Sequence, residues 1–190
     1  MFGGKTEELL RQLRRYEYAK KHVVTIKHVI DNRVDVNVIN SHAGRTRQAL
    51  PAHDEKSLCR YIKEGVEVIA IDEIQFFPEG AVRAIDKMIN AGITVVVAGI
   101  DTTFRGEPFG IVPTLLAKAD DVIKLKGICV ICGEDARHTQ RMVNGQPAEW
   151  NSPTILVGGQ DSYESRCRNC FSIEKEAAHT LATESSTVCP

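Results

Sequence analysis

Apolar positions recur at helical spacing near the start of the chain and then gather into short runs. Leu9, Leu13 and Tyr16 fall on one side of a helix, with Arg and Lys between them, which predicts an amphipathic helix over residues 5–21. Short β-branched and apolar runs farther along are typical of strands. Three such runs predict strands, over residues 22–28, 65–72 and 93–100.

Polar and helical stretches separate these runs. Residues 31–48 are polar and predict a loop. Residues 54–63 predict a helix with Asp54 as its N-cap, and residues 79–91 predict a helix that Gly92 closes. Because strands alternate with helices, the pattern predicts an α/β fold with a parallel sheet covered by helices.

The character of the chain changes near Gly127. We expect an α/β domain over residues 1–126 and a smaller, zinc-ribbon-like β domain with a Pro- and Gly-containing loop over 127–178. Residues 179–190 are polar and predict a flexible tail.

Composition narrows the classes of function. The chain has 190 residues, 43% of them apolar, and a net charge of −1, so it lacks the basic balance typical of nucleic-acid binding. It contains no run of about 18 apolar residues that would predict a membrane span. Its start does not resemble a secretory signal, so a cytoplasmic location is the expectation.

Four of the six cysteines form two CxxC pairs, Cys129 with Cys132 and Cys167 with Cys170. Free thiols or disulfides are alternatives, but in a chain without an export signal this pattern favours metal. Four thiolates form a closed tetrahedral zinc site, so we expect structural rather than catalytic zinc. Cys59 and Cys189 have no such partners. His22 and His28 flank a strand, and we expect surface positions for both.

A Gly4-Lys5-Thr6 tripeptide directly precedes the first predicted helix. In phosphate-binding loops of the form G-x-x-x-x-G-K-[ST], the Lys reaches the β- and γ-phosphates and the hydroxyl ligates Mg²⁺. Only Met1, Phe2 and Gly3 precede Gly4 here, so the first Gly of the pattern and its feeding strand are not in this sequence. By itself the tripeptide fits a chance helix start equally well.

An acidic pair, Asp72-Glu73, ends the apolar run at 65–72. A carboxylate at the end of such a strand holds Mg²⁺ in nucleotide-binding folds, and a second one beside it can act as a general base. A solvated turn after the strand is the alternative.

Together these motifs resemble the class II, zinc-containing thymidine kinases of bacterial type, over residues 1 to about 175. The start MFGGKTEEL is similar to the family's MFSGKTEEL, with Gly3 in place of its Ser. Residue Thr103 stands where bacterial relatives often carry Asp. The other matching segments are the DNR of 31–33, IDEIQFF at 71–77, GIDTTFRGEPFG at 99–110 and VGGQDSYESRCRNC at 157–170.

The resemblance implies a P-loop NTPase type of sheet in an ATP-binding domain, and a lasso-like substrate loop in the zinc domain. It implies that Glu73 is the catalytic base that takes the proton of the 5′-hydroxyl. The residues implied to bind ATP and Mg²⁺ are Gly3, Gly4, Lys5, Thr6, Asp31, Arg33, Asp72 and Gln75. The residues implied to bind the nucleoside are Phe76, Phe104, Arg105, Phe109, Thr139, Arg141, Thr154, Ile155, Leu156, Val157, Gly158 and Tyr163.

Some of these residues have other interpretations. Arg105 is also a candidate on the phosphate side. Phe76, Phe77 and Phe109 fit plain core aromatics, Gly158 fits an ordinary turn, and Trp150 fits the core or a ligand stack.

The resemblance also implies the ligands and the assembly of the protein. Its substrates would be thymidine and ATP with Mg²⁺, its zinc would be structural, dTTP would be a feedback inhibitor and the chain would form a homotetramer. No nucleic acid or membrane partner is expected. Two alternatives stay open. One is a truncated homologue that only binds nucleotide or nucleoside, and the other is a zinc-ribbon module that binds nucleic acid or protein.

Overall fold

A computed structural model describes residues 2–30, 38–40, 46–156 and 162–173. In these ranges, none of the helices is both long and apolar enough to cross a bilayer. The helices are α1 (Lys5–Tyr18), α2 (Glu55–Cys59), α3 (Gly80–Asn90) and α4 (Val112–Lys118), with a 3-10 turn at Ile74–Phe76. The strands are β1 (Val23–His28), β2 (Val38–Asn40), β3 (Thr46–Gln48), β4 (Leu50–Ala52), β5 (Val68–Asp72), β6 (Thr94–Val97), β7 (Gly127–Ile128), β8 (Asp135–Ala136), β9 (His138–Val143), β10 (Gln146–Pro147) and β11 (Tyr163–Arg166).

The main sheet has four parallel strands in the order β4-β1-β5-β6, which confirms the predicted fold class. Every residue of β5 is buried, because helices cover both faces of the sheet. The predicted strands at 22–28, 65–72 and 93–100 correspond to β1, β5 and β6, each shorter than its apolar run. Strand β4 was not predicted, since three residues carry too little pattern.

The core has one layer on each face of the sheet. On one face, Leu9 and Leu13 of α1 pack with Val68 and Ala70 of β5. On the other, the apolar sides of α2, α3 and α4 pack against the alternate positions of β1 and β5. Because successive side chains of a strand point to opposite faces, β5 serves both layers.

The predicted helices exist but are shorter than their patterns. Helix α1 ends at Tyr18 rather than at residue 21, and Lys20 beyond it has a positive φ of 58°. Helix α2 spans only Glu55–Cys59, and Asp54 is its N-cap as predicted, since its side chain accepts from the Ser57 N–H in a capping box. Helix α3 ends at Asn90, with Gly92 at a φ of 78° just beyond.

The predicted loop over 31–48 is wrong for its described part. Residues 38–40 and 46–48 form an antiparallel pair, β2 with β3. Ile39 is buried against Leu9 and Leu13 of α1, and this tertiary contact outweighs the polar local sequence. The rest of that stretch lies outside the described residues.

The strands after Gly127 form two small antiparallel sheets, β7-β8 and β10-β9-β11. Cys129, Ala136 and Cys167 make a separate apolar cluster there. The numerical domain boundaries stay a prediction, and residues 179–190 lie outside the described part of the chain.

Candidate active site

The candidate phosphate-binding residues lie at the start of α1. Gly4 is the N-cap of α1 and has a φ of 73°, which glycine adopts without steric cost. The Glu8 N–H donates to the Gly4 carbonyl at 2.9 Å and closes the first turn. Lys5 and Thr6 therefore lie in the first helical turn, where the N–H groups and the helix dipole favour an anion.

The carboxyl ends of the central strands meet this helix start. Gly3 and Lys5 line the same cavity as Gly99 and Asp101, which follow the end of β6. One strand farther in, Asp72 ends β5 and is 4% exposed. Ligands of parallel α/β sheets bind at this edge, so the structure brings the Gly-Lys-Thr motif and the acidic pair to one edge of the sheet.

Lys27 on β1 is a buried lysine that the sequence analysis missed. It lies opposite Asp72 in the β1–β5 register and is 3% exposed. Its Nζ donates to the Val38 carbonyl at 3.2 Å. The signal was available, since a lysine near the end of an apolar strand is unusual, but its pairing with Asp72 depends on strand register.

Glu73 lies directly beyond β5 in a left-handed backbone conformation, with φ 54° and ψ 41°. Its N–H donates to Asp72 Oδ1 at 2.9 Å. For a residue with a Cβ this conformation costs about 1–2 kcal/mol. The turn breaks the strand direction at this residue.

Gln75 holds the Glu73 carboxylate. Its Nε2 donates to Glu73 Oε2 at 2.5 Å, and its Oε1 accepts from the Ile100 N–H at 3.1 Å. Because Ile100 N–H can only donate, the amide is oriented with its NH₂ toward Glu73. Gln75 is 3% exposed. A role of Gln75 in binding ATP and Mg²⁺ stays a prediction. The structure places its amide NH₂ against Glu73, the candidate base.

Two glycines that the sequence analysis did not single out make room for Gln75. A Cβ on Gly99 would lie 2.6 Å from Ile74 Cγ2 and 2.8 Å from Gln75 Oε1. A Cβ on Gly110, whose φ is 52°, would lie 2.7 Å from the Gln75 carbonyl oxygen. Gly99 and Gly110 are the first and last residues of the segment at 99–110. A glycine at each end of this segment is the feature of the sequence that could have identified them.

Two half-buried aromatic side chains, one of them three residues after Glu73, pack against each other. The rings of Phe76 and Phe109 meet edge to face at 5.9 Å, and His28 lies 6.0 Å from Phe76. Phe76 and Phe109 are both half-buried, whereas Phe77 belongs to the core. The two half-buried rings leave aromatic surface available to a ligand.

His28 is buried, so the surface position predicted for it is wrong, while His22 is exposed as predicted. The ring of His28 meets the ring of Phe77 edge to face, with 4.5 Å between their centres. The Ile30 N–H donates to its Nδ1 at 3.1 Å, which fits a neutral ring. Burial first, and then nearby His53, lower the pKa of His28.

Arg105 joins the main domain to the loop at 150–156. Its guanidinium donates to Trp150 O at 2.6 Å, to Thr154 Oγ1 at 2.8 Å and to Ser152 O. The same group lies 4.5 Å from the centre of the Phe104 ring. A role of Arg105 on the phosphate side stays a prediction. The hydrogen bonds that the structure gives its side chain are with the loop at 150–156.

Arg141 and Tyr163 also donate hydrogen bonds to the backbone of the loop at 150–156. Arg141 on β9 pairs with Tyr163 on β11, and both are buried. Arg141 Nη1 donates to Pro153 O at 2.6 Å, and the Tyr163 hydroxyl donates to Leu156 O at 2.8 Å. The candidate substrate strip is thus exposed at Thr154, Ile155 and Leu156. Buried side chains hold this loop by hydrogen bonds to the loop backbone.

Arg141 retains one buried donor without a partner. Its Nε has no hydrogen-bond acceptor within the described part of the chain, although the residue is 5% exposed. Its guanidinium also lies 5.3 Å from the Phe104 ring centre, and Thr139 is buried two residues before it on β9. A buried donor of this kind fits a polar ligand acceptor.

The four CxxC cysteines converge. The ligand atoms of Cys129, Cys132, Cys167 and Cys170 all lie within 4.8 Å of one another. Cys132 Sγ is 3.6 Å from both Cys167 Sγ and Cys170 Sγ, far beyond a disulfide bond. Tetrahedral zinc with bonds of about 2.3 Å needs sulfurs about 3.8 Å apart, so the cluster fits a closed metal site.

The pKa values of two of these thiols, Cys129 and Cys170, shift in opposite directions. Burial opposes ionisation of Cys129, but backbone N–H groups of Cys167, Cys132 and Ile131 outweigh it and lower the pKa of Cys129 to about 6. Contacts with the neighbouring thiols, first Cys167 and then Cys132, raise the pKa of Cys170 to about 12. A metal cation binds thiolates, so binding at this cluster would release the protons of its thiols.

Four predicted site residues lie outside the described part of the chain. They are Asp31, Arg33, Val157 and Gly158. Their proposed roles beside the phosphate and in the substrate loop therefore stay predictions.

Comparisons with known proteins give a consistent result. A family model described as thymidine kinase matches residues 1–171. The chain is 48% identical over 180 residues to the thymidine kinase of Mesoplasma florum, covering 92% of this chain and 89% of that protein. It is 51% identical over 167 residues to the thymidine kinase of Coprothermobacter proteolyticus, covering 88% of this chain and 84% of that protein.

Proposed function

The chain belongs to the thymidine kinase family, and from this we propose that it transfers the terminal phosphoryl group of ATP to the 5′-hydroxyl of thymidine, giving ADP and dTMP. The observation that carries the proposal is the Glu73 carboxylate. Gln75 holds it at the carboxyl edge of the sheet, and half-buried Phe76 follows it three residues later in the chain.

In this proposal Glu73 is the general base. Its carboxylate takes the proton as the 5′-oxygen attacks the terminal phosphorus, and the bond to the ADP oxygen breaks. The Gln75 amide would hold the carboxylate in one orientation. Positioning of this kind matters because phosphoryl transfer requires little covalent chemistry from the protein.

The phosphate groups would bind at the start of α1. Lys5 would contact the β- and γ-phosphates, and Gly3, Gly4 and the first-turn N–H groups would surround them. Thr6 and Asp72 carry hard oxygen ligands suited to Mg²⁺, which when bound neutralises charge on the phosphates. Arg33 would add a cation at the transferring group, with Asp31 beside it.

Thymidine would lie between the two parts of the protein. Phe76, Phe104 and Phe109 offer aromatic surface, and the strip 154–158 would bind the thymine edge through backbone groups. The unpartnered Nε of Arg141 supports a ligand acceptor near Thr139 and Tyr163. Arg105 would act by fixing the loop at 150–156.

The metal at the cysteine cluster is proposed to be zinc with a structural role. The donor set of four thiols and its spacing support this choice. A zinc ion with a role in folding needs no vacant ligand position. The four cysteines are also distant from Glu73 in the sequence. A homotetramer, feedback inhibition by dTTP and a cytoplasmic location are also proposals, supported by the family.

Purified protein with ATP, Mg²⁺ and radiolabelled thymidine tests the proposal. We expect formation of labelled dTMP that depends on all three components. Binding of nucleoside without turnover would favour the alternative of a homologue that only binds. Salt-sensitive binding to DNA without turnover would overturn the kinase proposal in favour of a nucleic-acid module.

A further inference from the structure

The segment at 99–110 folds back on itself, and we call it the 99–110 hairpin. Near its tip the Thr103 N–H donates to the Glu107 carbonyl at 2.8 Å. Near its ends the Phe109 N–H donates to the Asp101 carbonyl at 3.0 Å. Because its main-chain groups bond to one another, a displacement of the tip is carried to the two ends.

Both ends of the 99–110 hairpin fit closely against Gln75. The Ile100 N–H donates to Gln75 Oε1 at 3.1 Å. A Cβ on Gly99 would lie 2.8 Å from the same oxygen, and a Cβ on Gly110 would lie 2.7 Å from the Gln75 carbonyl oxygen. Both distances are shorter than van der Waals contact, so there is no free space between the hairpin ends and Gln75. A shift of either end would therefore displace Gln75.

Gln75 passes this constraint to the candidate base. Its Nε2 donates to Glu73 Oε2 at 2.5 Å, while its Oε1 is held by Ile100. One buried amide thus joins the hairpin to the carboxylate. Positioning matters at such a group, since a misplacement of about 1 Å can cost about 100-fold in rate.

The tip of the hairpin carries Arg105, whose side chain reaches the loop at 150–156. The guanidinium donates to Trp150 O at 2.6 Å, to Thr154 Oγ1 at 2.8 Å and to Ser152 O. Two of the three acceptors are main-chain carbonyls, so these bonds fix the path of the loop backbone. The hairpin is therefore attached at its tip to the loop and at its ends to Gln75.

We propose that the 99–110 hairpin couples the position of the loop at 150–156 to the position of the Glu73 carboxylate, with Arg105 and Gln75 as the positioning residues. The inference rests on the proposed function, in which this loop binds thymidine and Glu73 takes the proton of the 5′-hydroxyl. Arg105 then acts on the chemical step through Gln75, and not by contact with phosphate. Proton transfer is thereby most effective when the loop is closed on the nucleoside.

A double-mutant cycle on the full chain tests the coupling. Gln75→Met keeps the length of the side chain but removes both amide bonds, and Arg105→Met removes the bonds to the loop. We expect each variant to lower the single-turnover rate of phosphoryl transfer, at saturating thymidine and ATP, by about 10-fold. The double variant should be slower than the wild type by about 10- to 20-fold and not by about 100-fold, because both substitutions break the same connection.

Tyr163→Phe is the matched control, since the Tyr163 hydroxyl holds the same loop from β11 by donating to Leu156 O. Its effect falls on KM for thymidine and should multiply with the effect of Gln75→Met. If Arg105→Met does not fold, Arg105→Lys takes its place in the cycle. Lysine keeps the charge but lacks the planar fork that reaches three acceptors at once.

Hydrogen exchange supplies a readout that needs no turnover. The Ile100 amide should exchange about 10-fold faster in Arg105→Met than in the wild type, and at the wild-type rate in Tyr163→Phe. Unchanged exchange at Ile100 in Arg105→Met would overturn the coupling.

The rate of the double variant separates the remaining outcomes. A loss of about 100-fold would also overturn the coupling, and a raised KM for ATP in Arg105→Met would then place Arg105 on the phosphate side. Failure of the wild type to phosphorylate thymidine would overturn the proposed function instead. In that case the exchange of the Ile100 amide still decides whether the hairpin connects the loop to Gln75.

Discussion

Glu73 combines an unfavourable backbone conformation with a tightly held side chain. Its positive φ costs about 1–2 kcal/mol, and contacts to Asp72 and Gln75 compensate at the same residue. Strain of this kind persists where surrounding contacts determine the conformation, and it is common at functional sites. The position of this carboxylate is therefore a property of its neighbours as much as of Glu73.

Replacing Glu73 by Gln tests the base. We expect kcat to fall by about 100-fold or more, with thymidine binding nearly unchanged, because the amide keeps the shape but cannot take a proton. Steady-state kinetics and nucleoside titration measure the two effects. Glu64→Gln, at an exposed position, is the control. Unchanged turnover in the Glu73 variant would mean that another group is the base.

His28 predicts a pH dependence of stability. Since burial lowers its pKa in the folded protein, the unfolded chain binds the proton more readily. Its contribution is complete above the ordinary His pKa of about 6.5 and is lost as pH falls through the lower folded value. Urea unfolding at about pH 8 and about pH 5.5 should give a smaller difference in His28→Gln than in the wild type. His22→Gln, on an exposed residue, should keep the wild-type difference.

At the scale of elements, the loop at 150–156 is attached to both parts of the chain. Arg105, from the segment after β6, contacts three of its residues, while β9 and β11 contribute Arg141 and Tyr163. Most of these bonds go to loop carbonyls, so the loop's path depends little on its own side chains. This arrangement suits a loop that binds a ligand through its backbone.

Tyr163→Phe tests this attachment. Loss of the hydroxyl removes the bond to Leu156 O, worth about 1 kcal/mol, so KM for thymidine should rise by about five-fold with kcat little changed. Tyr18→Phe is the matched control, since Tyr18 is 88% exposed. An unaltered KM in the Tyr163 variant would show that the bond does not shape the nucleoside site.

At the scale of the whole molecule, a parallel sheet carries the carboxylates and a small β unit carries the cysteines. Arg105 and the loop connect them, and the paired strands β9 and β11 carry residues that hold the loop. The cluster itself buries only a few apolar side chains, so a bound metal would supply much of its folding free energy.

Cys132→Ser should reduce bound zinc from about one ion per chain to nearly none, because a hydroxyl is a poor substitute for a thiolate. We also expect a lower Tm and a higher KM for thymidine. Metal analysis of purified protein and thermal unfolding measure these effects. Cys59→Ser is the control, since Cys59 lies outside the cluster. Wild-type zinc content in Cys132→Ser would mean that the ligand set is wrong.

Much of this architecture was accessible from local pattern. Helical spacing identified α1, the N-cap of α2 was correct, and apolar runs located β1, β5 and β6. These signals are local because helix capping and strand alternation depend on neighbours in the sequence. The paired cysteines likewise predicted a cluster that the fold assembles. Strand bounds, β4 and the β2–β3 pair were missed, since their pairing comes from distant residues.

The sequence by itself determined the family, the parallel α/β fold and the motifs: Gly-Lys-Thr, the acidic pair and the four cysteines. The tertiary structure alone decided the left-handed turn at Glu73, the Gln75 contact, the burial of His28 and the attachment of the loop by Arg105. It also decided which strands neighbour one another in the described sheet, β4-β1-β5-β6. The physical reason is that motifs are contiguous in the chain, whereas backbone strain, burial and strand order depend on residues that only folding brings together.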